Sequence, residues 1–339
     1  MTVSREVRIK RRPSTLPALA DFEVVATDVR SPGPGEITVR NLFQSVDPWM
    51  VRAIREAVGV RPSPFSKFGP AVIGEPLHAG AVGRVVASAA PGYREGDLVQ
   101  SMEGWRESFT IDASDVQLIK PDGIPPEAYL GIAGMPGLTA FGGIVRLANV
   151  TRGDVVCVTA AAGAVGSTVC QLAKLEGATV IGVAGGESKA QFLREIGVDH
   201  VIDHRATPNI DEALSRAAPG GTTIHFENVG GSLLAAGLNV ARPQARIVLC
   251  GLIRSFAGEE QFFPGNLMRV IRQRWRIYGL SSGDFMGEME NFRALMAERI
   301  RSGKIQWRAT IDHGIENAPA ALLKLMSGNN VGKMLIALD

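Results

Sequence analysis

Cysteine is scarce in this chain, and its positions exclude several classes of protein. The 339 residues contain three cysteines, Cys157, Cys170 and Cys250, so none precedes Cys157. An odd number of thiols within predicted strands and helices is typical of a reducing cytoplasm rather than of a disulfide framework. Because a zinc site needs three or four converging ligands, we expect no metal site in the first part of the chain.

Long apolar runs and an excess of charge are missing too. No stretch approaches 18 uninterrupted apolar residues, so no transmembrane span is predicted. The first 13 residues are charged and lack the apolar core of a secretion signal, which favours the cytoplasm. The net charge of +2 does not indicate nucleic acid or an anionic membrane as a partner. The length predicts two domains.

A strand–turn–helix pattern lies at residues 155–175. The apolar run 155–159 leads into Ala161-Ala162-Gly163-Ala164-Val165-Gly166, an A-x-G-x-x-G form of the dinucleotide fingerprint. Small residues let a pyrophosphate approach such a turn, and the helix that follows directs free N–H groups toward it. A second predicted strand, 179–183, completes a βαβ unit, which favours a nucleotide site over an ordinary small-residue turn.

The residues after the second strand indicate which dinucleotide is bound. An NAD site usually carries an acidic residue about 20 positions after the turn, but here the strand leads into Gly185 and Gly186. Lys189 follows, and the next predicted strand ends at His204-Arg205. Because lysine and arginine neutralise a 2′-phosphate, this pattern favours NADP(H). The alternative is that Lys189 and Arg205 are ordinary surface cations.

The order of predicted elements divides the chain at about residue 125. Residues 1–125 contain strand candidates at 22–28, 36–43, 79–89, 98–102 and 107–111. Residues 126–305 alternate between strands at 155–159, 179–183, 200–203, 222–226, 246–250 and 275–281 and helices at 126–132, 136–147, 164–176, 187–196, 209–218, 231–240 and 285–302. This alternation is typical of a doubly wound parallel sheet, and we expect the substrate pocket in the cleft between the domains. The tail, 306–339, returns to strand–helix–strand and is expected to fold back onto the first domain.

Motifs along nearly the whole chain resemble a known family. They are Ser45-Val46-Asp47-Pro48-Trp49-Met50, Val82–Ser88, Gly104-Trp105, Gly134–Ala140, Ala161–Ser167, Glu227–Gly231 and Gly328–Lys333. On these motifs the chain resembles the zinc-independent medium-chain dehydrogenase/reductases, most closely the leukotriene B4 dehydrogenase/prostaglandin reductase and alkenal double-bond reductase branch. The resemblance implies an α/β fold with a Rossmann domain, 126–305, and a β-rich GroES-like domain, 1–125 and 306–339, which the C-terminal tail completes.

The resemblance also implies how NADP(H) is held. Lys189 would bind the 2′-phosphate, with His204 and Arg205 where the family usually has tyrosine and lysine. Asn228 and Asn330 would hydrogen-bond the cofactor. The predicted cofactor contacts are Met135, Thr139, Ala162, Gly163, Ala164, Val165, Gly166, Gly185, Lys189, His204, Arg205, Asn228, Cys250, Gly251, Leu252, Ile253, Ser255, Leu280 and Asn330.

Asp47 stands where the zinc branch of this superfamily has its catalytic cysteine. Gly74-Glu75 also lacks the histidine of the usual Gly-His-Glu, so the resemblance implies no metal. We interpret Asp47 as the N-cap of a helix from Pro48 to Val58, with proline in the first helical position. The alternative is a buried carboxylate near the active cleft. Glu227, which replaces an aspartate of the family, is interpreted as structural.

The reaction implied by the resemblance is hydride transfer from NADPH to the C=C bond of an α,β-unsaturated ketone or aldehyde, without zinc. The family's cleft tyrosine, which helps to stabilise the enolate, is replaced in this chain. Ser281 or Ser282 would supply a donor, or the ribose hydroxyl, backbone N–H groups and water would suffice, or the substrate would need little polarisation. The predicted pocket residues are Trp49, Phe141, Tyr278 and Phe285, and the alternative for the tryptophan and phenylalanines is packing alone.

Three functions remain open at this point, in decreasing order of preference. The first is an NADPH-dependent enone or alkenal reductase, the second an NADPH:quinone oxidoreductase, and the third a non-catalytic NADPH-binding sensor. The expected partners are a small hydrophobic substrate and a second copy of the chain, because in this family Leu280–Ser282 supplies a strand for dimerisation. Neither nucleic acid nor a membrane is expected as a partner.

Overall fold

A computed structural model of the chain describes residues 2–55, 70–120, 122–256 and 268–338. They form two compact units. Unit 1 is drawn from Met1–Leu130 and Ala309–Asp339, and unit 2 from Gly131–Arg308. Each unit has its own sheets and its own buried apolar clusters. We describe the elements in chain order.

The first segment of unit 1 is mainly β structure. Its strands are β1 (Thr2–Ile9), β2 (Phe22–Val29), β3 (Glu36–Ser45), β4 (Ala81–Ser88), β5 (Leu98–Ser101), β6 (Ser108–Asp112) and β7 (Gln117–Leu118). Its helices are α1 (Trp49–Arg55) and the short 3-10 helices Leu19–Asp21, Ala113–Asp115 and Pro126–Leu130. The helix predicted from Pro48 to Val58 therefore begins one residue later, and its positions after 55 lie outside the described residues.

Unit 2 alternates strands and helices. Its strands are β8 (Val155–Thr159), β9 (Thr179–Ala184), β10 (His200–Asp203), β11 (Thr222–Glu227), β12 (Ala241–Leu249) and β13 (Arg276–Gly279). Its α-helices are α2 (Met135–Phe141), α3 (Ala164–Leu175), α4 (Glu187–Glu195), α5 (Ile210–Ala217), α6 (Gly231–Val240), α7 (Ile253–Phe256), α8 (Met268–Gln273) and α9 (Met289–Arg301). A π-helix, Gly142–Leu147, continues α2, and a 3-10 helix, Ser282–Glu288, precedes α9.

The tail returns to unit 1 and completes its larger sheet. It contains β14 (Ala309–His313), the 3-10 helix Ile315–Asn317, α10 (Ala318–Met326) and β15 (Lys333–Ala337). The seven-stranded order is β14-β15-β3-β4-β5-β7, with β6 also paired to β3. The β14–β15 pair is parallel and the other pairs are antiparallel, while β1 and β2 form a separate antiparallel pair. The strand–helix–strand prediction for the tail is confirmed.

The sheet of unit 2 is the predicted doubly wound sheet. Its six strands have the order β10-β9-β8-β11-β12-β13, and every pairing is parallel. β8 and β11 are buried almost throughout, as expected for strands covered by helices on both faces. The order reverses between β8 and β11, and ligands of open α/β sheets bind beside the carboxyl ends of the strands at such a point.

The single helix predicted at 136–147 is divided at a pair of glycines. A Cβ on Gly142 would lie 2.3 Å from the ring of Phe285, and one on Gly143 would lie 2.5 Å from the ring of Phe226. These close approaches require glycine, and the backbone changes from α to π geometry at Gly142. The sequence shows the two glycines but not the rings that they accommodate.

Candidate functional site

The turn between β8 and α3 exposes the start of a helix at the point where the strand order reverses. Ala161 N donates to Val183 O (3.0 Å), and Gly163 N donates to Ala160 O (3.0 Å), so the turn is fixed by its own backbone. Gly163 is the N-cap of α3 and has no side chain to satisfy the first N–H groups. Those groups, together with the positive end of the helix dipole, are suited to binding an anion.

Gly166 is the position in this turn where a side chain would not fit. A Cβ there would lie 2.4 Å from Ala160 O and 2.8 Å from Ala161 Cα, and both of these atoms belong to the backbone. At Gly163 the same atom would meet only Ala160 O, at 3.2 Å. The close contact of helix and turn at Gly166 keeps the first helical N–H groups next to the end of β8.

Basic side chains that follow the neighbouring strands β9 and β10 lie together beside Gly185. A Cβ on Gly185 would come within 2.8 Å of both His204 Nε2 and Arg205 Nε, so both side chains cross this glycine. His204 N donates to Ala184 O (2.9 Å), which fixes the turn after β10 against the end of β9. Lys189, in the first turns of α4, is partly buried in the same region, while His204 and Arg205 are exposed.

The electrostatics of this cluster favour an anion. Burial and the neighbouring charge of Arg205 lower the pKa of Lys189. Burial and the charge of Arg205, with further contributions from Lys189 and Arg254, lower the pKa of His204. The positive groups thus destabilise one another's charged forms, and a phosphate among them would stabilise all of these forms.

Two acids lie near this cluster in sequence. Glu187, at the start of α4, forms an ion pair with Arg194 (2.6 Å) and is 77% exposed. The Asp203 carboxylate accepts a hydrogen bond from Arg205 N (2.9 Å) within its own turn. Glu187 thus pairs outside the cluster, whereas Asp203 lies within it and opposes the lowering of the pKa of His204.

On the other side of the strand-order reversal, Asn228 follows β11 and is fixed by Thr159. Asn228 N donates to Thr159 Oγ1 (2.8 Å), and Asn228 Nδ2 donates to Thr159 O (2.7 Å). The Thr159 hydroxyl in turn donates to Glu227 Oε1 (2.8 Å). Asn228 thus retains its side-chain oxygen for a ligand, while its backbone is tied to the end of β8.

The segment after β12 is hydrogen-bonded along the turn after β11. The backbone N–H groups of Cys250 and Gly251 donate to Glu227 O, at 3.0 and 3.1 Å. Ile253 N donates to Asn228 O (3.2 Å), and the Ser255 hydroxyl donates to Leu252 O (2.7 Å). Gly251 and Leu252 follow the same path, so the predicted contacts from 250 to 255 run along the turn that contains Asn228.

The remaining predicted cofactor contacts of unit 2 lie on other elements. Met135, 41% exposed, begins α2, and the Thr139 hydroxyl donates to Met135 O (2.7 Å) within that helix. Leu280 follows β13, its N–H donates to Leu249 O (3.0 Å), and its side chain packs on Gly143. Ala162, Ala164 and Val165 belong to the turn and first helical residues described above.

The predicted pocket residues differ in exposure. Phe141 is 7% exposed, stacks on Phe292 with ring centroids 5.6 Å apart and lies beneath the Arg146 guanidinium. Phe285 is partly buried against Gly142, and Tyr278 is partly buried on β13. Trp49, 36% exposed, begins α1 in unit 1. Phe141 thus has an evident packing role, and the substrate roles of all four stay predictions.

The serines predicted as hydrogen-bond donors to the enolate lie after β13. Ser281 is the N-cap of the following 3-10 helix without a side-chain cap hydrogen bond, and Ser282 is its first residue. The hydroxyls of Tyr93 and Tyr129 donate to Val116 O (3.2 Å) and Lys120 O (3.4 Å) in unit 1. Of the chain's three tyrosines, these two are therefore engaged in holding their own unit together.

The N-cap prediction for Asp47 is wrong. Its carboxylate accepts from Lys333 Nζ (2.9 Å) and from the Ser45 hydroxyl rather than from the first turn of α1. Lys333 is buried, and its ammonium also donates to Val46 O (2.7 Å) and Met334 O (3.0 Å). Burial lowers the pKa of Lys333, and Asp47 opposes that shift. The partly buried carboxylate is therefore needed to balance a buried ammonium.

Asn330, the predicted cofactor contact in unit 1, precedes β15. It is 7% exposed, and its side-chain amide donates to Gly332 O (2.9 Å). This bond closes the turn that leads into Lys333. Its cofactor role stays a prediction.

Metal and thiol chemistry have no evident site in the part of the chain that the structure describes. No group of three or more histidine, cysteine or acidic residues there could hold a metal ion. Burial raises the pKa of Cys250 to about 12 and also raises the pKa of Cys170, so both thiols are neutral near pH 7. None of the helices within the described ranges is both long and apolar enough to cross a bilayer.

Comparisons with known proteins agree with this geometry. Residues 5–119 match a family model described as the N-terminal domain of oxidoreductase, and residues 164–300 match one described as zinc-binding dehydrogenase. An NADPH-dependent curcumin reductase of Escherichia coli (strain K12) is 35% identical over 334 residues, which cover 96% of this chain and 94% of the relative. A 2-alkenal reductase (NADP(+)-dependent) of Nicotiana tabacum is 33% identical over 338 residues, covering 98% and 97%. The crystal structure of CurA in complex with NADPH from Vibrio vulnificus superposes with a TM-score of 0.90 at 33% identity, covering 99% of both chains.

Proposed function

We propose that the chain reduces the C=C bond of α,β-unsaturated ketones and aldehydes with NADPH. The premise is that the chain belongs to the zinc-independent medium-chain dehydrogenase/reductases and to their alkenal and prostaglandin reductase branch. The observation that carries the cofactor assignment is the cluster of Lys189, His204 and Arg205 at Gly185. The reaction class is supported by relatives named as an NADPH-dependent curcumin reductase and an NADP(+)-dependent 2-alkenal reductase.

The residues of unit 2 fit the two charged parts of NADPH. The α3 N-terminus after Gly163 would hold the pyrophosphate, because its first N–H groups have no capping side chain. Lys189, His204 and Arg205 would hold the 2′-phosphate. The distance between these groups follows from the sheet, since the first lies after β8 and the second after β9 and β10.

The chain's own task in the reaction is to orient the alkene and to meet the charge that develops on its carbonyl oxygen. NADPH, when bound, supplies a hydride to the β-carbon of the unsaturated carbonyl. The carbonyl oxygen then becomes negative, and donors placed beside it lower the barrier to the reaction. A proton taken up at the α-carbon completes the saturated product. We propose Ser281 and Ser282 as donors, because the hydroxyls of Tyr93 and Tyr129 are engaged within unit 1.

The substrate would be small and mainly apolar. Tyr278 and Phe285 of unit 2 are partly buried and Trp49 of unit 1 is 36% exposed, so each unit retains aromatic surface that a ligand could contact. Apolar and aromatic walls with a few polar groups are typical of small-molecule pockets. The same residues would suit a quinone, which is the second candidate acceptor.

NADPH consumption measured against 2-alkenals, enones and quinones, with each product identified by mass, tests this function. We expect a product two mass units heavier than the unsaturated carbonyl, with the carbonyl intact. An allylic alcohol would contradict C=C reduction, and turnover of quinones alone would favour the quinone reductase. NADPH binding without turnover of any acceptor would favour the sensor.

We also propose a cytoplasmic homodimer. The three cysteines are all unpaired, and Cys157 and Cys170 are buried, which suits a reducing compartment. Within the described residues β13 pairs with β12 alone, so its other edge is open to a second copy. Light scattering at micromolar concentration tests the assembly, and a mass of 36.1 kDa would contradict the dimer.

A further inference from the structure

The buried pair His225 and Glu227 has no place in the scheme above, although it lies directly under the turn that contains Asn228. Both side chains are fully buried, and His225 Nε2 lies 2.7 Å from Glu227 Oε2. Such a pair inside a sheet carries a desolvation cost, and replacing a buried pair by apolar residues is often neutral or stabilising. Its presence therefore calls for a role beyond stability.

The surroundings fix the histidine ring from two sides. His225 on β11 is opposite Cys157 on β8, and a Cβ on Gly237 of α6 would lie 2.1 Å from the ring. His225 Nδ1 is buried without a hydrogen-bond partner in the described structure. Burial alone lowers the pKa of His225, but the Cys157 thiol and the Glu227 carboxylate raise it to about 10.

The other carboxylate oxygen of Glu227 accepts hydrogen bonds from the turn that follows β11. Glu227 Oε1 accepts hydrogen bonds from Val229 N (2.5 Å), Gly230 N (2.8 Å) and the Thr159 hydroxyl (2.8 Å). That hydroxyl accepts in turn from Asn228 N (2.8 Å). One carboxylate thus fixes the turn around Asn228 in two ways. It binds backbone N–H groups of the turn directly, and it binds the Thr159 hydroxyl on β8.

The position of this turn indicates which part of the cofactor it contacts. The 2′-phosphate cluster lies after β9 and β10, on one side of the strand-order reversal. A dinucleotide spans that point with its pyrophosphate on the helix after β8. Its second nucleoside must then lie on the side of β11 and β12, where Asn228 and the segment 250–255 are hydrogen-bonded together.

We infer that His225 is a positioning residue that holds the Glu227 carboxylate and, through it and Thr159, sets Asn228 for the nicotinamide half of NADPH. This inference rests on the proposed function. It assigns to His225, Glu227 and Thr159 a role in how the hydride-donating end is held, with no contact to the 2′-phosphate.

Two ligands separate this role from a structural one. NADPH has both halves, whereas adenosine 2′,5′-bisphosphate has only the half that the 2′-phosphate cluster would bind. Thr159→Val removes the hydroxyl and keeps the shape of the side chain. We expect it to weaken NADPH binding about tenfold, as for a lost hydrogen bond that leaves partners unsatisfied, with the bisphosphate affinity within about twofold of the wild type.

Matched variants complete the design. Thr159→Ser keeps the hydroxyl and should restore NADPH binding. His225→Leu should repeat the effect of Thr159→Val, whereas His225→Gln, which keeps a donor, should give a smaller loss. Thr222→Val is the control. Thr222 lies buried on β11, the strand that carries His225, and its hydroxyl has no hydrogen-bond partner in the described structure.

Equal weakening of NADPH and the bisphosphate, or unchanged NADPH binding in Thr159→Val, would overturn the inference. So would an equal effect of Thr222→Val at the same loss of thermal stability. These binding measurements need no acceptor, so a wild-type chain that binds NADPH tightly but turns over no unsaturated carbonyl would contradict the proposed function alone.

Discussion

At Gly166 a hydrogen atom stands where any other residue would carry a carbon. The backbone of Ala160 and Ala161 occupies that space, so the start of α3 can approach β8 only with glycine. The sequence motif predicts this position, because dinucleotide turns use glycine where helix and strand pack closely. The structure adds that Gly163 is less crowded than Gly166, a difference that the motif does not show.

We expect Gly166→Ala to displace the start of α3. The extra carbon meets rigid backbone atoms, so we expect a loss of about 1–3 kcal/mol in the free energy of unfolding and NADPH binding at least about tenfold weaker. Urea unfolding and fluorescence titration measure the two effects. Gly220→Ala is the control, since a Cβ there meets nothing within 4 Å. Equal behaviour of the two variants would contradict the steric argument.

Lys189 and Arg205 could be selected from the sequence because they follow two successive predicted strands. Removing both, as Lys189→Ala with Arg205→Ala, should weaken NADPH about 100-fold and NADH no more than about threefold, since only NADPH carries the 2′-phosphate. Dissociation constants for both cofactors, measured at one ionic strength, test this. Arg216→Ala removes an exposed cation of α5 and should change neither. An equal loss for both cofactors would contradict the 2′-phosphate assignment.

Asp47 marks the limit of prediction at the scale of residues. Its sequence neighbours, Pro48 and the start of α1, are typical of a helix cap. Its actual partner, Lys333, is 286 positions away, and nothing local indicates that ion pair. For the same reason His225 was missed, because its role depends on Gly237 of a different element and on Thr159 of a neighbouring strand.

At the scale of elements, apolar strands and capped helices were predicted better than their interruptions. β8 and β10 have the predicted bounds, and for β8 the reason is that a buried parallel strand is a continuous apolar run between turn signals. β12 is longer than predicted, beginning at Ala241 where a helix was expected to have just ended. β1 was missed, since the polar residues Ser4 and Glu6 are buried in it while Val3 is exposed, and its partner β2 begins 13 positions after β1 ends.

The His225–Glu227 pair on β11 predicts how the free energy of unfolding changes as the pH rises. The folded pKa of His225, about 10, lies above its ordinary value near 6.5. Its contribution to stability is therefore complete below about pH 6.5 and is lost as the pH rises toward 10. Glu227 has a lowered pKa, so its contribution is present at neutral pH and is lost only on acidification.

We therefore expect the free energy of unfolding to fall between pH 7 and 9.5, by at most about 1.4 kcal/mol per pH unit from this histidine. Urea unfolding at several pH values gives the slope. In His225→Gln this contribution should be missing, so the two slopes should differ. Parallel slopes would show that the histidine is not charged in the folded chain.

At the scale of the whole molecule, unit 1 is assembled from both ends of the described chain. β15 pairs with β3, and the Lys333 ammonium donates to Val46 O (2.7 Å) beside Asp47. Unit 2 forms a continuous segment between the two parts. The sequence predicts this arrangement from the return of strand–helix–strand after the last helix of unit 2, although it does not show the order of strands.

Asp47→Asn should destabilise unit 1, because it leaves a buried ammonium without its carboxylate. We expect a loss of about 3–5 kcal/mol. Adding Lys333→Met should recover most of it, since the charge that needed the carboxylate is gone. Urea unfolding followed by fluorescence reports on this unit when Trp275→Phe and Trp307→Phe leave Trp49 and Trp105 as the two tryptophans. Lys324→Met breaks a more exposed pair in α10 and should cost less than about 1 kcal/mol. A double variant no more stable than Asp47→Asn would contradict this account.

The return of the chain to its first sheet also fixes an order of events during synthesis. During synthesis, all of unit 2 is made before β14 and β15, so every strand of its parallel sheet exists while the sheet of unit 1 still lacks two. Until then, the edge of β3 that later pairs with β15 is open, and open edges are where nascent chains pair wrongly with one another. The strands of the parallel sheet are thus all made first, and the sheet of unit 1 is completed last.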